Sequence, residues 1–172
     1  MTSTERFLTA LKGEIPDRVP LCEFSIAGNV IQELLPGGTY EEFIETFDFD
    51  AVVVSRGKDD IQKVNANTFI DPWGTTFAYT GEEALIETDF PIKNEADFRS
   101  YSAPDPLSDP RLPKLDKTVE RFKGKKAVVF TISDSFSQPR KLLGMENLLL
   151  SYIEEPSFLT DLIDMTVDYH IA

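Results

Sequence analysis

The clearest hydrophobic pattern in the chain is a run of four apolar residues that ends abruptly in polar ones. Residues 51–54 read AVVV without alternation, and Ser55 and Arg56 follow at once. Such a run is typical of a strand covered on both faces, as in parallel sheets flanked by helices. In these folds ligands bind at the C-terminal ends of the strands. The pattern therefore directs the search for function to the residues after this strand.

Two other segments have the same character. Residues 19–24 carry Leu21, Cys22 and Phe24 behind Pro20, which is tolerated at the start of a strand. Residues 127–132 read AVVFTI and lead into the polar sequence SDS. We predict a core strand in each segment.

Amphipathic helices separate these strands. Residues 2–5 and 39–42 fit capping boxes, each followed by apolar residues at helical spacing. Further apolar stripes predict helices at 112–122 and 145–153, and a last one from Pro156 onwards. Strands joined through helices in this way are parallel, with right-handed crossovers, in nearly all known cases.

A different pattern interrupts this alternation. The sequence Asp71-Pro72-Trp73-Gly74 favours a type I turn between two strands, and residues 84–88 favour a third strand. We predict an inserted antiparallel β-hairpin laid over one end of the main sheet. Trp73 is interpreted as the buried anchor of this hairpin, with a ligand platform as the alternative.

Three parallel strands with polar C-terminal ends suit a (β/α)8 TIM barrel, but eight strands need at least about 200 residues. The chain has 172 residues, and its last helix reaches Ala172 without a stop signal. We therefore predict that residues 1–172 are the N-terminal half of a single barrel domain, truncated at the C-terminus. A longer protein or another chain would complete it.

The composition of the chain disfavours some classes of binding partner. Acidic residues outnumber basic ones 30 to 17, and the net charge of -13 disfavours nucleic acid. No apolar run of membrane-spanning length and no signal peptide are evident, so we expect a cytoplasmic protein. Cys22 is the one cysteine and is interpreted as a packed thiol, with a reactive or metal-bound thiol as the alternative.

Common catalytic motifs are absent from the sequence. It has no phosphate-binding glycine loop, no nucleophile elbow and no HExxH motif. His170 is the single histidine and falls in the last predicted helix. We therefore expect no metal site built from this chain alone.

Four stretches carry a family resemblance: TSTERFLTALKGEIPDRVPL, DPWGTTF, FPIKNEADFRSYSAPDP and GMENLLLSYIEEPSFLTDLI. In this order they resemble the uroporphyrinogen decarboxylase superfamily across nearly the whole chain. The resemblance implies a (β/α) barrel with a cleft at the C-terminal ends of its strands. It also implies one of two activities, porphyrinogen decarboxylation or methyl transfer to or from a corrinoid carried by a partner protein.

Two departures distinguish these branches. The decarboxylases hold substrate carboxylates with a loop reading roughly Arg-Gln-Ala-Gly-Arg, where this chain has SIAGN at residues 25–29. They also place an aspartate after the second strand, where this chain has Arg56. A tetrapyrrole would lose two cationic contacts, each worth about 1.5–3 kcal/mol, and its pyrrole N–H groups would face a cation. We therefore favour the methyltransferase branch.

In that branch the resemblance implies a zinc ion and a partner-borne corrinoid. Zinc acts as a Lewis acid there, and its usual ligands belong to the C-terminal half of the barrel. We accordingly expect no cofactor within this chain, and no catalysis by this segment alone.

The predicted substrate-binding residues follow the strands or lie near their ends: Glu23, Ser25, Asn29, Arg56, Ser133 and Asp134. Arg56 would pair with Glu23 or hold an anionic substrate group, and the alternative is a salt bridge to Asp59 or Asp60 that braces the strand end. No catalytic residue is assigned.

Two alternative functions remain at the level of sequence. The first is a decarboxylase that acts on a porphyrinogen or another carboxylated substrate. The second is a non-catalytic half-barrel that binds a partner, either in a homo-oligomer or with a different chain.

Overall fold

The computed structural model describes residues 1–57, 60–79 and 85–172. The chain divides into two compact units, each built from two segments. Unit 1 comprises Met1–Arg56 and Pro110–Thr131, and unit 2 comprises Gly57–Asp109 and Ile132–Ala172. The assignment of residues 1–172 to one barrel domain stays a prediction.

The architecture is mixed α/β. The described strands are β1 (Ala51–Val54), β2 (Gln62–Lys63), β3 (Thr68–Ile70), β4 (Thr76–Tyr79), β5 (Leu85–Asp89) and β6 (Ala127–Phe130). The described α-helices are α1 (Ser3–Leu11), α2 (Gly28–Leu34), α3 (Tyr40–Thr46), α4 (Glu95–Ser100), α5 (Leu112–Phe122), α6 (Ser137–Leu143), α7 (Met145–Glu154) and α8 (Pro156–Ile171). A short 3₁₀ turn spans Pro106–Ser108.

Unit 1 is organised around a parallel pair of strands. β1 and β6 lie side by side with Val54 opposite Phe130, and every residue of β1 is buried. α1 and α5 pack against both strands, and α3 packs against β1. The core comprises Ile31, Phe43, Ile44, Phe49, Val52 and Phe122. The predicted buried strand at 51–54 and its parallel pairing are confirmed.

Capping boxes begin two helices of unit 1. The Thr2 hydroxyl accepts a hydrogen bond from Glu5 N at 3.2 Å, and the Glu5 carboxylate accepts one from Thr2 N at 2.8 Å. Thr39 and Glu42 repeat this arrangement at the start of α3. In both cases the backbone hydrogen bond from the threonine lowers the pKa of the glutamate. Both predicted boxes are confirmed.

Residues 19–24, predicted as the first core strand, form no strand. Leu21 N donates to the Asp50 carboxylate and Asp50 N donates to the Leu21 carbonyl, each at 2.8 Å. These two bonds do not form a strand ladder, since the acceptor for Leu21 N is the Asp50 side chain and not a backbone carbonyl. Val19 and Phe24 are 85% and 69% exposed, so the apolar content of the segment does not mark a buried strand.

Unit 2 contains the antiparallel sheet, with strand order β2-β3-β4-β5. Between β3 and β4, Gly74 N donates to the Asp71 carbonyl at 2.9 Å and closes the turn. The Asp71 carboxylate also accepts hydrogen bonds from Trp73 N and Thr75 N, both at 2.9 Å. The predicted hairpin is therefore confirmed as part of an antiparallel sheet. The third strand predicted at 84–88 is observed at Leu85–Asp89, with residue 84 outside the described residues, and the position of the hairpin over the main sheet stays a prediction.

Helices complete the core of unit 2. Trp73 is 1% exposed, and its ring lies 4.5 Å from the ring of Tyr169. The other buried members of this cluster are Ile92, Leu142, Leu143, Leu148, Phe158, Leu159 and Leu162. Trp73 is therefore the buried anchor that the sequence analysis favoured.

The sequence analysis missed α6, which includes Pro139. Pro139 is in the first turn of the helix, where its missing N–H breaks no helical hydrogen bond. Two carbonyls near the end of α6 have partners elsewhere in unit 2. Thr75 donates to the Lys141 carbonyl at 2.8 Å, and Ile92 N donates to the Leu142 carbonyl at 3.1 Å. Long-range bonds of this kind leave no pattern in the local sequence.

Candidate functional site

The C-terminal end of β1 is joined to the end of β6. Both the N–H and the hydroxyl of Thr131 donate to the Val54 carbonyl, at 3.1 and 3.3 Å. Parallel pairing thus extends one residue beyond the strands. Ser55 and Arg56 follow immediately and are partly buried. In parallel α/β folds this end of the sheet borders the ligand cleft.

A second arginine lies at the end of β6. Arg111 is only 5% exposed, and its Nη1 donates to the Thr131 carbonyl at 2.5 Å. Its guanidinium carbon lies 4.6 Å from the centre of the Phe130 ring, which is cation–π geometry. The sequence analysis missed this residue, because an arginine just before a helix carries no local signal of burial. Arg111 fixes the backbone at the end of β6.

Three predicted substrate-binding residues lie in one exposed stretch of unit 1. Glu23 and Ser25 are in the irregular segment before α2, and Asn29 is in its first turn. The side-chain oxygen Oδ1 of Asn29 accepts a hydrogen bond from Val30 N at 2.8 Å. Their role in substrate binding stays a prediction.

Ser133 and Asp134 belong to unit 2 and precede α6. The Asp134 carboxylate accepts hydrogen bonds from Phe136 N at 3.0 Å and Ser137 N at 2.5 Å. The bond from Ser137 is the main cause that lowers the pKa of Asp134. Asp134 therefore carries a negative charge and holds the start of α6. The grouping of the six predicted residues in one cleft stays a prediction.

The loop after Arg56 is partly described. The Asp60 carboxylate accepts a hydrogen bond from Gly57 N at 2.6 Å. Asp59, one of the predicted partners of Arg56, lies outside the described residues. The pairing of Arg56 with Glu23 or with Asp60 stays a prediction.

The opposite end of β1 has a buried charge network. Asp50 is fully buried, and its carboxylate accepts hydrogen bonds from Arg6 Nη1 at 2.5 Å and Arg18 Nη1 at 2.7 Å. Asp17 accepts two further hydrogen bonds from Arg6, at 2.6 and 2.9 Å. Because ligands bind at the C-terminal ends of parallel strands, this network is assigned to stability.

The protonation of this network follows from its contacts. Burial by itself raises the pKa of Asp50, but hydrogen bonds from Leu21 N and Arg6 outweigh burial and lower it. The hydrogen bonds from Arg6 likewise hold the pKa of Asp17 far below its usual range. Both carboxylates are therefore ionised at neutral pH.

Cys22 is partly buried in the segment next to this network. Burial, with a smaller effect from Glu23, raises the pKa of its thiol. A raised thiol pKa disfavours the nucleophilic thiolate, in line with the packed thiol that the sequence analysis favoured.

Unit 2 has a cavity of about 140 Å³ between the start of α4 and helices α7 and α8. Its lining is mixed, with Lys93, Asn94, Ser151, Glu154 and Phe158 among the contributors. None of the six predicted site residues lines it.

Among the described residues, no group of three His, Cys, Asp or Glu side chains could hold a metal ion. No described helix is both long and apolar enough to span a bilayer.

Comparison with known proteins identifies a solved structure with a similar fold. No protein-family model matches the chain, and no curated protein matches it significantly. Among solved structures, the chain is similar to a methyltransferase from Methanosarcina mazei, with a TM-score of 0.72 at 17% sequence identity. The match covers 98% of this chain and 53% of the other, so this chain spans about half the length of that methyltransferase. The chain therefore has the fold of part of that protein.

Proposed function

We propose that the chain is the N-terminal part of a corrinoid-linked methyltransferase of the uroporphyrinogen decarboxylase superfamily. The complete enzyme would move a methyl group between a small molecule and a corrinoid on a partner protein. The observation that carries the proposal is the fold likeness to a methyltransferase over 98% of the chain. Arg56, where the decarboxylases have an aspartate, supports the same branch.

The proposed cleft lies at the C-terminal ends of the parallel strands. In this proposal Arg56 would supply a cation to the substrate, and Asp134 would supply an anion, whose charge is maintained by two backbone N–H groups. Glu23, Ser25, Asn29 and Ser133 would add hydrogen-bonding groups around the substrate. Arg111 would keep the end of β6 in place while the substrate binds.

The described residues do not provide a zinc site by themselves, since they contain no suitable group of three ligands. In the proposed enzyme the zinc ligands would belong to further polypeptide. We therefore assign no step of the reaction to zinc on the residues of this chain.

The proposal includes polypeptide that completes the sheet. In the described part of the chain, β6 pairs with β1 alone. An unpaired strand edge exposes backbone N–H and C=O groups that another strand can bind. The likeness to about half of a longer chain supports this part of the proposal.

Methyl transfer by the full-length native protein tests the proposed function. The protein would be mixed with a methylated corrinoid protein or methylcobalamin, zinc and a panel of thiol acceptors. Loss of the methyl group is followed in the corrinoid absorption spectrum, with heat-denatured protein as the control. We expect transfer to at least one acceptor, and no transfer to any acceptor with zinc supplied would contradict the proposal.

A further inference from the structure

The cavity of unit 2 combines buried apolar residues with exposed polar ones. Leu143 and Phe158 are its buried apolar members, and Ser151 is a buried polar one. The exposed polar residues that line it are Lys93, Asn94, Asn147, Glu154 and Glu155. Its volume of about 140 Å³ is the space of about four or five water molecules, which is enough for a short-chain organic group.

The main hydrogen-bond donors of this cavity already have acceptors. The Lys93 ammonium pairs with the Asp89 carboxylate. The Asn147 side-chain nitrogen donates to the Leu143 carbonyl at 3.3 Å, and the Ser151 hydroxyl donates to the Asn147 carbonyl at 2.8 Å. A ligand that needs donors from the protein is therefore poorly served here.

Acceptors of this cavity are still available. Among the residues that the structure describes, neither the Glu154 carboxylate nor the Glu155 carboxylate has a hydrogen-bond or ion-pair partner. The Ser151 hydroxyl acts as a donor in the bond above, so its oxygen can still accept one. The cavity therefore matches a ligand that donates hydrogen bonds.

The charge around the cavity is negative. The C-terminus of α7 carries a partial negative charge, and the start of α8 at Pro156 carries a partial positive charge that largely offsets it. Two glutamates, Glu154 and Glu155, then stand against one lysine, Lys93, whose charge is already neutralised by Asp89. The balance favours a cationic ligand.

We propose that this cavity binds a primary ammonium group on a short apolar chain. The ammonium donates to the carboxylates of Glu154 and Glu155 and to the Ser151 hydroxyl, and the carbon chain packs on Leu143 and Phe158. None of the six residues predicted from sequence contributes to the cavity, so the inference does not depend on the proposed methyl transfer.

The test uses NMR of the full chain labelled with ¹⁵N and titrated with small probes. Butylammonium is the probe for the proposed ligand, and butyrate, which has a similar chain and the opposite charge, is its counterpart. We expect saturable shifts with butylammonium that centre on the backbone N–H signals of Asn147, Ser151 and Glu155. Butyrate should cause much smaller shifts.

A primary ammonium group occurs both on free alkylamines and on lysine side chains. Nα-acetyl-lysine amide presents the same group next to a peptide backbone, so its titration distinguishes the two sources. Tighter binding of butylammonium assigns the cavity to a free amine. Tighter binding of the lysine derivative assigns it to a lysine of a partner protein.

Two double variants separate the site from the general charge of the unit. Glu154→Gln with Glu155→Gln should weaken butylammonium binding about tenfold, because two charge-assisted contacts are lost. The matched control is Glu146→Gln with Asp161→Asn. It removes the same charge from exposed positions of α7 and α8 that do not line the cavity, and it should leave the affinity nearly unchanged. All four positions are exposed, so the fold should tolerate both changes.

Four outcomes would overturn the inference. They are the absence of a saturable shift with butylammonium, an equal response to butyrate, an unchanged affinity in the variant at Glu154 and Glu155, and an equal weakening in the control variant. The first two readouts use the unmodified chain. A failed methyl-transfer assay would leave all four unaffected.

Discussion

Arg6 and Asp50 are 44 residues apart in sequence, and their side chains meet at 2.5 Å inside unit 1. Arg6 is the one buried residue of α1, and Asp50 directly precedes β1. The pair therefore connects the first helix to the first strand. Arg18 and the Leu21 backbone bind the same carboxylate and bring the following segment to it.

Removal of this carboxylate should strongly destabilise unit 1. Asp50→Ala removes the fully buried acceptor that Arg6 Nη1 and Arg18 share, and breaking a buried ion pair costs about 3–5 kcal/mol. The measurement is the free energy of unfolding from urea titration by circular dichroism. The matched control is Glu45→Ala, which removes the exposed ion pair with Arg121 in the same unit and should have a much smaller effect. Equal effects of the two changes would show that the network does not stabilise the unit.

Acid should destabilise the protein through the same carboxylates. The folded-state pKa values of Asp50 and Asp17 lie below the unfolded value of about 3.9, so the unfolded chain binds protons first. Their contribution is complete above about pH 5 and is lost as the pH falls through the folded pKa values. We expect the urea concentration at the unfolding midpoint to decrease as the pH is lowered below about 5. The decrease should be less steep in Asp50→Asn. An unchanged slope in that variant would contradict the assignment.

Gly144 should not tolerate a side chain. Its φ and ψ of 83° and 156° are accessible essentially only to glycine, and an added Cβ would lie 2.9 Å from the Phe90 ring. Strain and overlap together should cost about 3 kcal/mol in Gly144→Ala. Gly74→Ala is the matched control. Gly74 has a similar φ of 84°, but a Cβ added there would lie 3.4 Å from its nearest neighbour, Pro91. Thermal unfolding should show a clearly larger decrease in melting temperature for Gly144→Ala than for Gly74→Ala. A smaller decrease for Gly144→Ala would contradict the predicted overlap.

Asp134 can be tested for two roles at once. Asp134→Ala removes the acceptor for Phe136 N and Ser137 N and should lower the melting temperature by about 2–4 °C. Asp134→Asn retains an acceptor oxygen but removes the charge, so it should keep the melting temperature. If Asp134 contacts substrate, the Asp134→Asn substitution should lower kcat/KM of the full-length enzyme about tenfold or more. Full activity in Asp134→Asn would restrict the residue to a structural role.

Features that depend on a few consecutive residues were predictable from sequence. The turn at Asp71 to Gly74, the capping boxes at Thr2 and Thr39, and the buried strand β1 were all predicted and are present. Each results from backbone conformations or hydrogen bonds within four residues, or from an apolar run without alternation. The local sequence contains the cause in every case.

Features that depend on distant partners were not predictable. Residues 19–24 look like a strand, yet their connection to β1 runs through Asp50, about 30 residues away. The burial of Arg111 and of Gln138 depends on packing that neither residue's neighbours reveal. The six predicted site residues were chosen because they follow predicted strands or lie near their ends, and their grouping in one cleft stays a prediction.

The phenol of Tyr40 limits where a further strand can pair with the parallel sheet of unit 1. Its hydroxyl oxygen accepts the hydrogen bond of Val53 N at 3.1 Å, so a side chain takes the place of a neighbouring strand at that point of β1. A strand that approached from this side would have to displace a partly buried ring whose ionisation is suppressed by burial. Addition of a strand is therefore favoured at the free edge of β6, and the further polypeptide proposed above would pair with the sheet there.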